Sequence, residues 1–477
     1  MRAITAGVLA VLILGGVASA ADRKPNVVFI LADDLGYTDV ACYGSRFYRT
    51  PNIDHMATEG LRLTDGYTCG PNCQPTRATL MSGQYGPRTG VYTVGSIERF
   101  AWRTRPLRPA DNVQKLPLET YTLAQAMKDA GYATAHFGKW HLGQDDAHHP
   151  LKRGFDESIV SMGKHFDFET IPKVDYPSGE YLADFLTDKA VDFIARNKER
   201  PFFLALHHFA VHAPHNAKPE VIARFVGTKP EGGHHDPTYA AMIASVDESV
   251  GRIIKTIDDL GLGKDTLVVF TSDNGGVGGY SREGIPAGKE ITDNAPLRGG
   301  KGMLYEGGIR VPYVFRWTGK IPAGTTSDRP INSVDLYPTL LELGGGQAKS
   351  KLDGSSYLPL LLSGGRERPD RDPMYWHFPG YLGASRGHWR TTPAGAIRDG
   401  DWKVVEFFET NKVELYNLRD DPGEKHDLAA EQPDKTKALH AKLVAWRKAV
   451  NAPMPTPHKP DPNAVAKKKG GGEDGDE

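Results

Sequence analysis

Only a few residues in this 477-residue chain have both the type and the spacing to do chemistry. Cys73 opens the run Cys73-Gln74-Pro75-Thr76-Arg77 and is one of three cysteines, with Cys42 and Cys69. An odd count leaves at least one thiol without an internal partner. Taken alone, Cys73 is a buried thiol or half of a Cys69–Cys73 bridge. Asp33-Asp34 and Asp273-Asn274 each close an apolar run and offer carboxylate and amide oxygens. By itself an Asp-Asp pair is a polar strand end entering a turn. Cations and imidazoles recur beside glycine or proline: Lys139 and His141 between Gly138 and Gly143, His212 in Val211-His212-Ala213-Pro214-His215, and Lys301 in Arg298-Gly299-Gly300-Lys301-Gly302. Such side chains neutralise an anion and move protons near neutral pH.

Cys73-Gln74-Pro75-Thr76-Arg77, followed by Ala78 to Gly83, resembles the Cys-x-Pro-x-Arg signature of the type I, formylglycine-dependent sulfatases, arylsulfatase-like members of the alkaline phosphatase superfamily. Gly138 to Gly143, Tyr305 to Pro312, Thr50 to Asp54 and Leu415 to Glu424 extend the resemblance over nearly the whole mature chain. It implies that a maturation enzyme oxidises Cys73 to formylglycine. The hydrate of that aldehyde carries two hydroxyls, so sulfate can be expelled by collapse to the aldehyde without a second attack at sulfur. It further implies that Asp33, Asp34, Asp273 and Asn274, with residue 73, hold one Ca²⁺, since hard cations take oxygen ligands. Lys139 and Lys301 would meet sulfate oxygens, Arg77 would hold the modified residue and its metal surroundings, His141 would accept a proton from the second hydroxyl, and His212 would act as general acid to the leaving group. The signature departs from the family at Thr76, where most members have Ser, and this bears on how efficiently Cys73 is converted.

Other residues get plainer readings. His207, His208 and His215 are expected to be structural, His148, His149, His234 and His235 to lie on the surface or rim, and Arg310 to be structural. His377, within the aromatic stretch Met374 to Tyr381, is the candidate for touching the sugar of a sulfated carbohydrate. The alternative function is a metal-dependent phosphomonoesterase or phosphodiesterase of the same superfamily. It would need Thr76 or Thr79 as nucleophile and two transition metals, whereas the oxygen donors suffice for one ion. A non-catalytic glycan-binding relative would be expected to lack Cys73, His141 or His212, and all are present.

To bring these positions together the chain needs a scaffold that collects distant strand ends. Asn26–Leu31, Pro201–Leu206 and Thr266–Thr271 are continuous apolar runs, as expected for strands buried on both faces of a parallel sheet. Helical periodicity fills Thr122–Ala130, Glu180–Asn197 and Tyr239–Leu260. The alternation predicts an α/β fold with ligands beyond the carboxyl ends of its strands, and the resemblance implies a large, mostly parallel mixed sheet flanked by helices as in alkaline phosphatase. From about residue 366 the composition shifts, and a hairpin around Asp399-Gly400 and a helix over Pro433–Val450 predict a smaller C-terminal α+β subdomain.

Lys and Arg total 58 against 59 Asp and Glu, a net charge of -1, so no global field favours nucleic acid or an anionic membrane surface. An anionic substrate needs a local basic pocket. Arg2, the apolar run Ala6–Val17 and Ala18-Ser19-Ala20 read as a signal peptide cleaved near Ala20, giving a secreted or periplasmic protein without a membrane anchor. The expected divisions are 1–20 signal peptide, 21–365 catalytic domain, 366–455 subdomain and 456–477 disordered tail.

Overall fold

A computed structural model describes residues 23–286, 290–368, 373–385 and 388–465; the signal-peptide reading of 1–20 and the tail from 466 onward lie outside the described residues. β1 (Asn26–Ala32) is buried along its whole length. Its alternate side chains enter different layers: Val28, Ile30 and Ala32 join one core cluster, and Val27, Phe29 and Leu31 join another. A strand facing two apolar layers must be apolar at every position, which is why β1 shows no alternation in sequence.

Around β1 a mixed sheet assembles from β2 (Leu61–Leu63), β3 (Ala133–Gly138), β4 (Glu157–Val160), β5 (Phe202–His207), β6 (Thr266–Ser272), β7 (Tyr313–Arg316) and β8 (Thr325–Ser327), in the order β8-β2-β7-β6-β1-β5-β3-β4. β4, β3, β5, β1 and β6 run parallel, and β7 is antiparallel to both β6 and β2. Residues of α4 (Leu182–Arg196) and α5 (Pro237–Asp259) fill the core on one face. The other face is covered by α2 (Cys73–Ser82), α3 (Leu123–Asp129) and α6 (Leu336–Gly344); α1 (Pro51–Thr58) joins the first layer. The register pairs Leu31 with both His207 and Thr271, and Gly138 with His207. The carboxyl ends of β1, β3, β5 and β6 are therefore level, and the segments leaving these strands meet at one edge.

The C-terminal part is an antiparallel sheet of β9 (Met374–Phe378), β12 (Ala394–Asp399), β13 (Trp402–Phe407) and β14 (Lys412–Asn417), in that order. α7 (Pro433–Ala449) packs on it through Leu439 and Leu443. β12 and β13 form the expected hairpin, with Asp399 opposite Trp402 and Gly400 at φ 61°. A second hairpin, β10 (Leu382–Ser385) with β11 (His388–Thr391), stands beside this sheet. The two parts share a buried ionic junction. Lys403 Nζ lies 2.9 Å from Glu306 and 2.8 Å from Glu424, while Arg398 and Arg310 both reach Asp65. Arg310 is structural, as expected.

Two expectations are corrected. Thr456–Pro457 pairs antiparallel with Leu107–Arg108, the His458 amide donates to the Pro106 carbonyl at 2.7 Å, the His458 ring meets Trp102, and the Asp461 amide donates to the Arg103 carbonyl at 2.8 Å, so the start of the expected tail is packed against the rest of the protein. Backbone pairing to a distant segment holds it in place without an apolar run. His234 is buried, not on the rim: its ring stacks on Tyr48 and its Nε2 lies 2.9 Å from the Asp293 carbonyl. No helix among the described residues is long and apolar enough to cross a membrane.

Candidate active site

α2 starts at Cys73, and every residue of it is buried. Arg77, four positions on, lies on the same face one turn away. Its Nε donates to Asp273 Oδ2 at 2.9 Å, its Nη2 is 2.7 Å from the same oxygen, and its Nη1 donates to the Lys139 carbonyl at 2.7 Å. One guanidinium thus ties the ends of β3 and β6 to α2. Lys139 Nζ donates to Asp33 Oδ2 at 2.7 Å, and Lys301 Nζ to Asp34 Oδ2 at 2.8 Å. Asn274 Nδ2 donates to Asp34 Oδ1 at 2.8 Å, and Asp34 sits at φ 62°, a conformation uncommon for residues other than glycine. Cys73 Sγ lies 4.0 Å from Asp34 Oδ1.

Ligand atoms of Asp33, Asp34, Cys73 and Asp273 all lie within 4.8 Å of one another. Asp33 Oδ1 and Asn274 Oδ1 are buried without a hydrogen-bond donor. Each is an acceptor, so a hard cation fits this donor set. Asp33, Asp34 and Asp273 balance Arg77, Lys139 and Lys301 in charge. A divalent cation would leave the pocket net positive, the sign that attracts a sulfate ester. Burial and the adjacent Asp33 push Asp273 up. Burial would also raise Asp33, but Lys139, His212 and Arg77 outweigh it and hold that carboxyl well below its usual range. The Cys73 thiol is pushed well up by burial, against the pull of Lys139 and Lys301, and stays protonated.

His212 Nδ1 lies 2.6 Å from the Ala213 carbonyl, which can only accept, so Nδ1 carries the proton. Its Nε2 is 3.6 Å from Asp34 Oδ2. Burial and Lys139 lower the imidazole, yet Asp34 and Asp33 leave it raised overall. His141 follows Lys139 at the same strand end, with φ 62°. The structure thus brings together Asp33, Asp34, Cys73, Arg77, Lys139, His212, Asp273, Asn274 and Lys301 at the level strand ends. No disulfide joins Cys42, Cys69 and Cys73; Cys69 Sγ lies 2.6 Å from Asn332 Oδ1. Thr76 Oγ1 donates to the Gly70 carbonyl and Thr79 Oγ1 to the Pro75 carbonyl, so neither hydroxyl is directed at the carboxylates as a phosphoesterase nucleophile would be.

His377 is corrected. It is 9 % exposed, its Nε2 lies 2.8 Å from the Pro453 carbonyl, and its ring meets Tyr92 and Phe408. A side chain enclosed in this way serves the packing of the subdomain and not contact with a sugar. His207 and His208 are structural, as expected: His207 sits edge-on to Phe29 and His136, and His208 Nε2 lies 2.9 Å from Ser249 Oγ. Sequence reasoning missed the residues that brace the site. The Tyr239 hydroxyl donates to Asp39 Oδ2 at 2.7 Å and lies 3.3 Å from the Asp34 carbonyl, and His165 Nε2 is 2.8 Å from the His212 carbonyl. No local motif marks them; each works through one long-range contact.

A family model described as Sulfatase matches residues 25–346, and one described as N-sulphoglucosamine sulphohydrolase, C-terminal, matches 300–449. The chain is 31 % identical to a protein named Sulfatase from Formosa agariphila, over 91 % of this chain and 90 % of that one. It is 33 % identical to N-acetylgalactosamine-6-sulfatase of Canis lupus familiaris, over 78 % and 72 % of the two chains. Among solved structures it is similar to Ps i-CgsB in complex with k-i-k-neocarrahexaose, with TM-score 0.75, 30 % identity, and coverage of 94 % of this chain and 96 % of that one. With the matched model spanning most of the chain and taking in the strand ends that hold the polar cluster, the protein belongs to the sulfatase family, the sulfuric ester hydrolases of the alkaline phosphatase superfamily.

Proposed function

We propose that this sulfatase removes sulfate from a sulfated carbohydrate, using a formylglycine made from Cys73 and one calcium ion. The observation that carries the proposal is the first turn of α2, which points Cys73 at a buried set of carboxylates flanked by Lys139 and Lys301. The carbohydrate follows from the names of the N-acetylgalactosamine-6-sulfatase and neocarrahexaose-bound relatives. Ca²⁺ would be held by Asp33, Asp34, Asp273 and Asn274 with residue 73, and would supply positive charge beside the ester oxygens. Oxidation of Cys73 by a formylglycine-generating maturation enzyme would supply a hydrated aldehyde, one hydroxyl to attack sulfur and a second to let sulfate leave.

The remaining work falls to encoded residues. Lys139 and Lys301 neutralise sulfate oxygens, which removes the repulsion between an oxyanion and an anionic ester. Arg77 fixes Asp273 through two nitrogens on one oxygen and so sets the geometry of the carboxylates. His212, held through Nδ1, presents Nε2 as the proton source for the leaving-group oxygen. His141 accepts the proton of the second hydroxyl. Export to the periplasm or medium, after cleavage near Ala20, completes the proposal.

The test is sulfate release from sulfated oligosaccharides by the wild type, Cys73→Ala and His212→Ala. Wild type should turn over, Cys73→Ala should lose at least about 1000-fold in kcat, and His212→Ala should lose more on sugar sulfates than on 4-nitrophenyl sulfate, whose leaving group needs no proton. A fully active Cys73→Ala protein would refute the nucleophile, and equal losses for His212→Ala on both substrates would refute the general acid.

A further inference from the structure

The hairpin of β10 and β11 carries one side chain that neither the catalytic cluster nor the packing accounts for. Successive residues of a strand point to opposite faces. Trp389 of β11 meets Phe100 and Tyr381, at 6.1 and 5.1 Å between ring centroids, and this anchors the hairpin. Arg390 points the other way, with its guanidinium carbon 4.5 Å from the centroid of the Tyr280 ring. Tyr280 is 2 % exposed, and its hydroxyl donates to the Lys301 carbonyl at 2.9 Å. A Cβ placed on Gly302 would lie 3.6 Å from Arg390 Cβ, and the Gly302 amide donates to the Pro71 carbonyl at 2.7 Å, two residues before Cys73. Arg390 is thus one contact from Lys301 and from the loop that leads into α2.

The side chain is held but not satisfied. Gly383, at φ 66°, lies against it so closely that a Cβ there would come within 2.7 Å of Arg390 Cδ. Arg390 is half-buried, and among the described residues no carboxylate forms an ion pair with it. Other half-buried arginines here do have such partners, as Arg88 has Asp353 and Arg298 has Glu283. A guanidinium held against a ring, with no hydrogen-bond or ion-pair partner among the described residues, is suited to a planar or tetrahedral anion.

We propose that Arg390 is a specificity-determining residue that binds a second anionic group, a sulfate or a carboxylate, on the sugar next to the ester being cleaved. The Tyr280 ring lies against the guanidinium, and the Trp389 side of the hairpin holds the strand. This rests on the carbohydrate reading of the site and gives it a substrate class: sugars bearing two negative charges.

The experiment uses the matured full chain with Arg390→Gln and Arg390→Lys, on a singly sulfated sugar, the same sugar with a second sulfate, a sulfated sugar joined to a uronate, and 4-nitrophenyl sulfate. Wild type should favour one of the two doubly charged substrates, and whichever it favours identifies the anion as sulfate or carboxylate. Arg390→Gln should cut the ratio of kcat/KM for that substrate over the singly charged sugar by about tenfold or more, mainly through KM, and Arg390→Lys should retain part of the preference. A wild type with no preference, or a ratio that Arg390→Gln leaves within roughly twofold, overturns the assignment while sugar desulfation stands. Turnover of 4-nitrophenyl sulfate with none of the sugars overturns the carbohydrate reading, and this inference with it.

Discussion

Asp273 shows how tightly charge is shared among the side chains of the candidate site. Its Oδ2 receives two nitrogens of Arg77 and its Oδ1 accepts the Asp34 amide at 3.2 Å. Asp273→Asn keeps the shape but removes a negative charge and presents an amide nitrogen where an oxygen stood. The expected product folds, binds less than one calcium ion per chain by metal analysis, and falls at least about 100-fold in kcat. Full turnover with full calcium would mean that Asp273 is not a ligand. Much of this set is legible in sequence, because Cys73, Arg77, Lys139 and His212 lie in short local motifs. His377 misleads because an aromatic stretch looks the same whether it faces a sugar or the Pro453 carbonyl and Phe408. Arg390 and Tyr239 carry no local signal, since each is defined by a residue more than a hundred positions away.

The elements matter through where they stop. β3 ends at Gly138, at φ 110°, where an added Cβ would come within 1.9 Å of the His207 carbonyl oxygen. Only glycine lets β3 approach β5 this closely before the chain turns to present Lys139. Gly138→Ala should destabilise the protein by more than about 3 kcal/mol, measured by denaturant unfolding, and reduce activity in whatever folded protein remains. A variant as stable and active as wild type would show that the turn is not needed. β1, β5 and β6 are readable as continuous apolar runs because both of their faces are covered. The strand at Thr456–Pro457 is not, since its pairing with Leu107–Arg108 is made by backbone groups that leave no pattern in side chains.

At the scale of the whole molecule, burial fixes how stability depends on pH. Burial lowers His136 to about 3, and His165, His208 and His377 to about 4. Unfolded imidazoles titrate near 6.5, so between that value and about 4 the unfolded chain binds more protons, and stability is lost as pH falls through this window. Burial acts in the opposite sense on Asp247, raised to about 6, and on Glu424, raised by burial beside Glu306, so these two favour the folded state as pH falls. The imidazoles are more numerous, and each contributes on the order of 3 kcal/mol over its full window. The melting temperature should therefore drop by several degrees or more from pH 7 to pH 5, and His377→Gln should flatten that slope. A melting temperature that rises toward pH 5 would reverse this account.

In the proposed mechanism residue 73 attacks sulfur as an aldehyde hydrate. The most direct measurement is the mass of the peptide containing position 73, from protein made in its native host and shown to release sulfate. The peptide should be about 18 Da lighter than the thiol form, the formula difference between cysteine and formylglycine. Active protein whose position 73 is entirely unmodified cysteine would contradict the account.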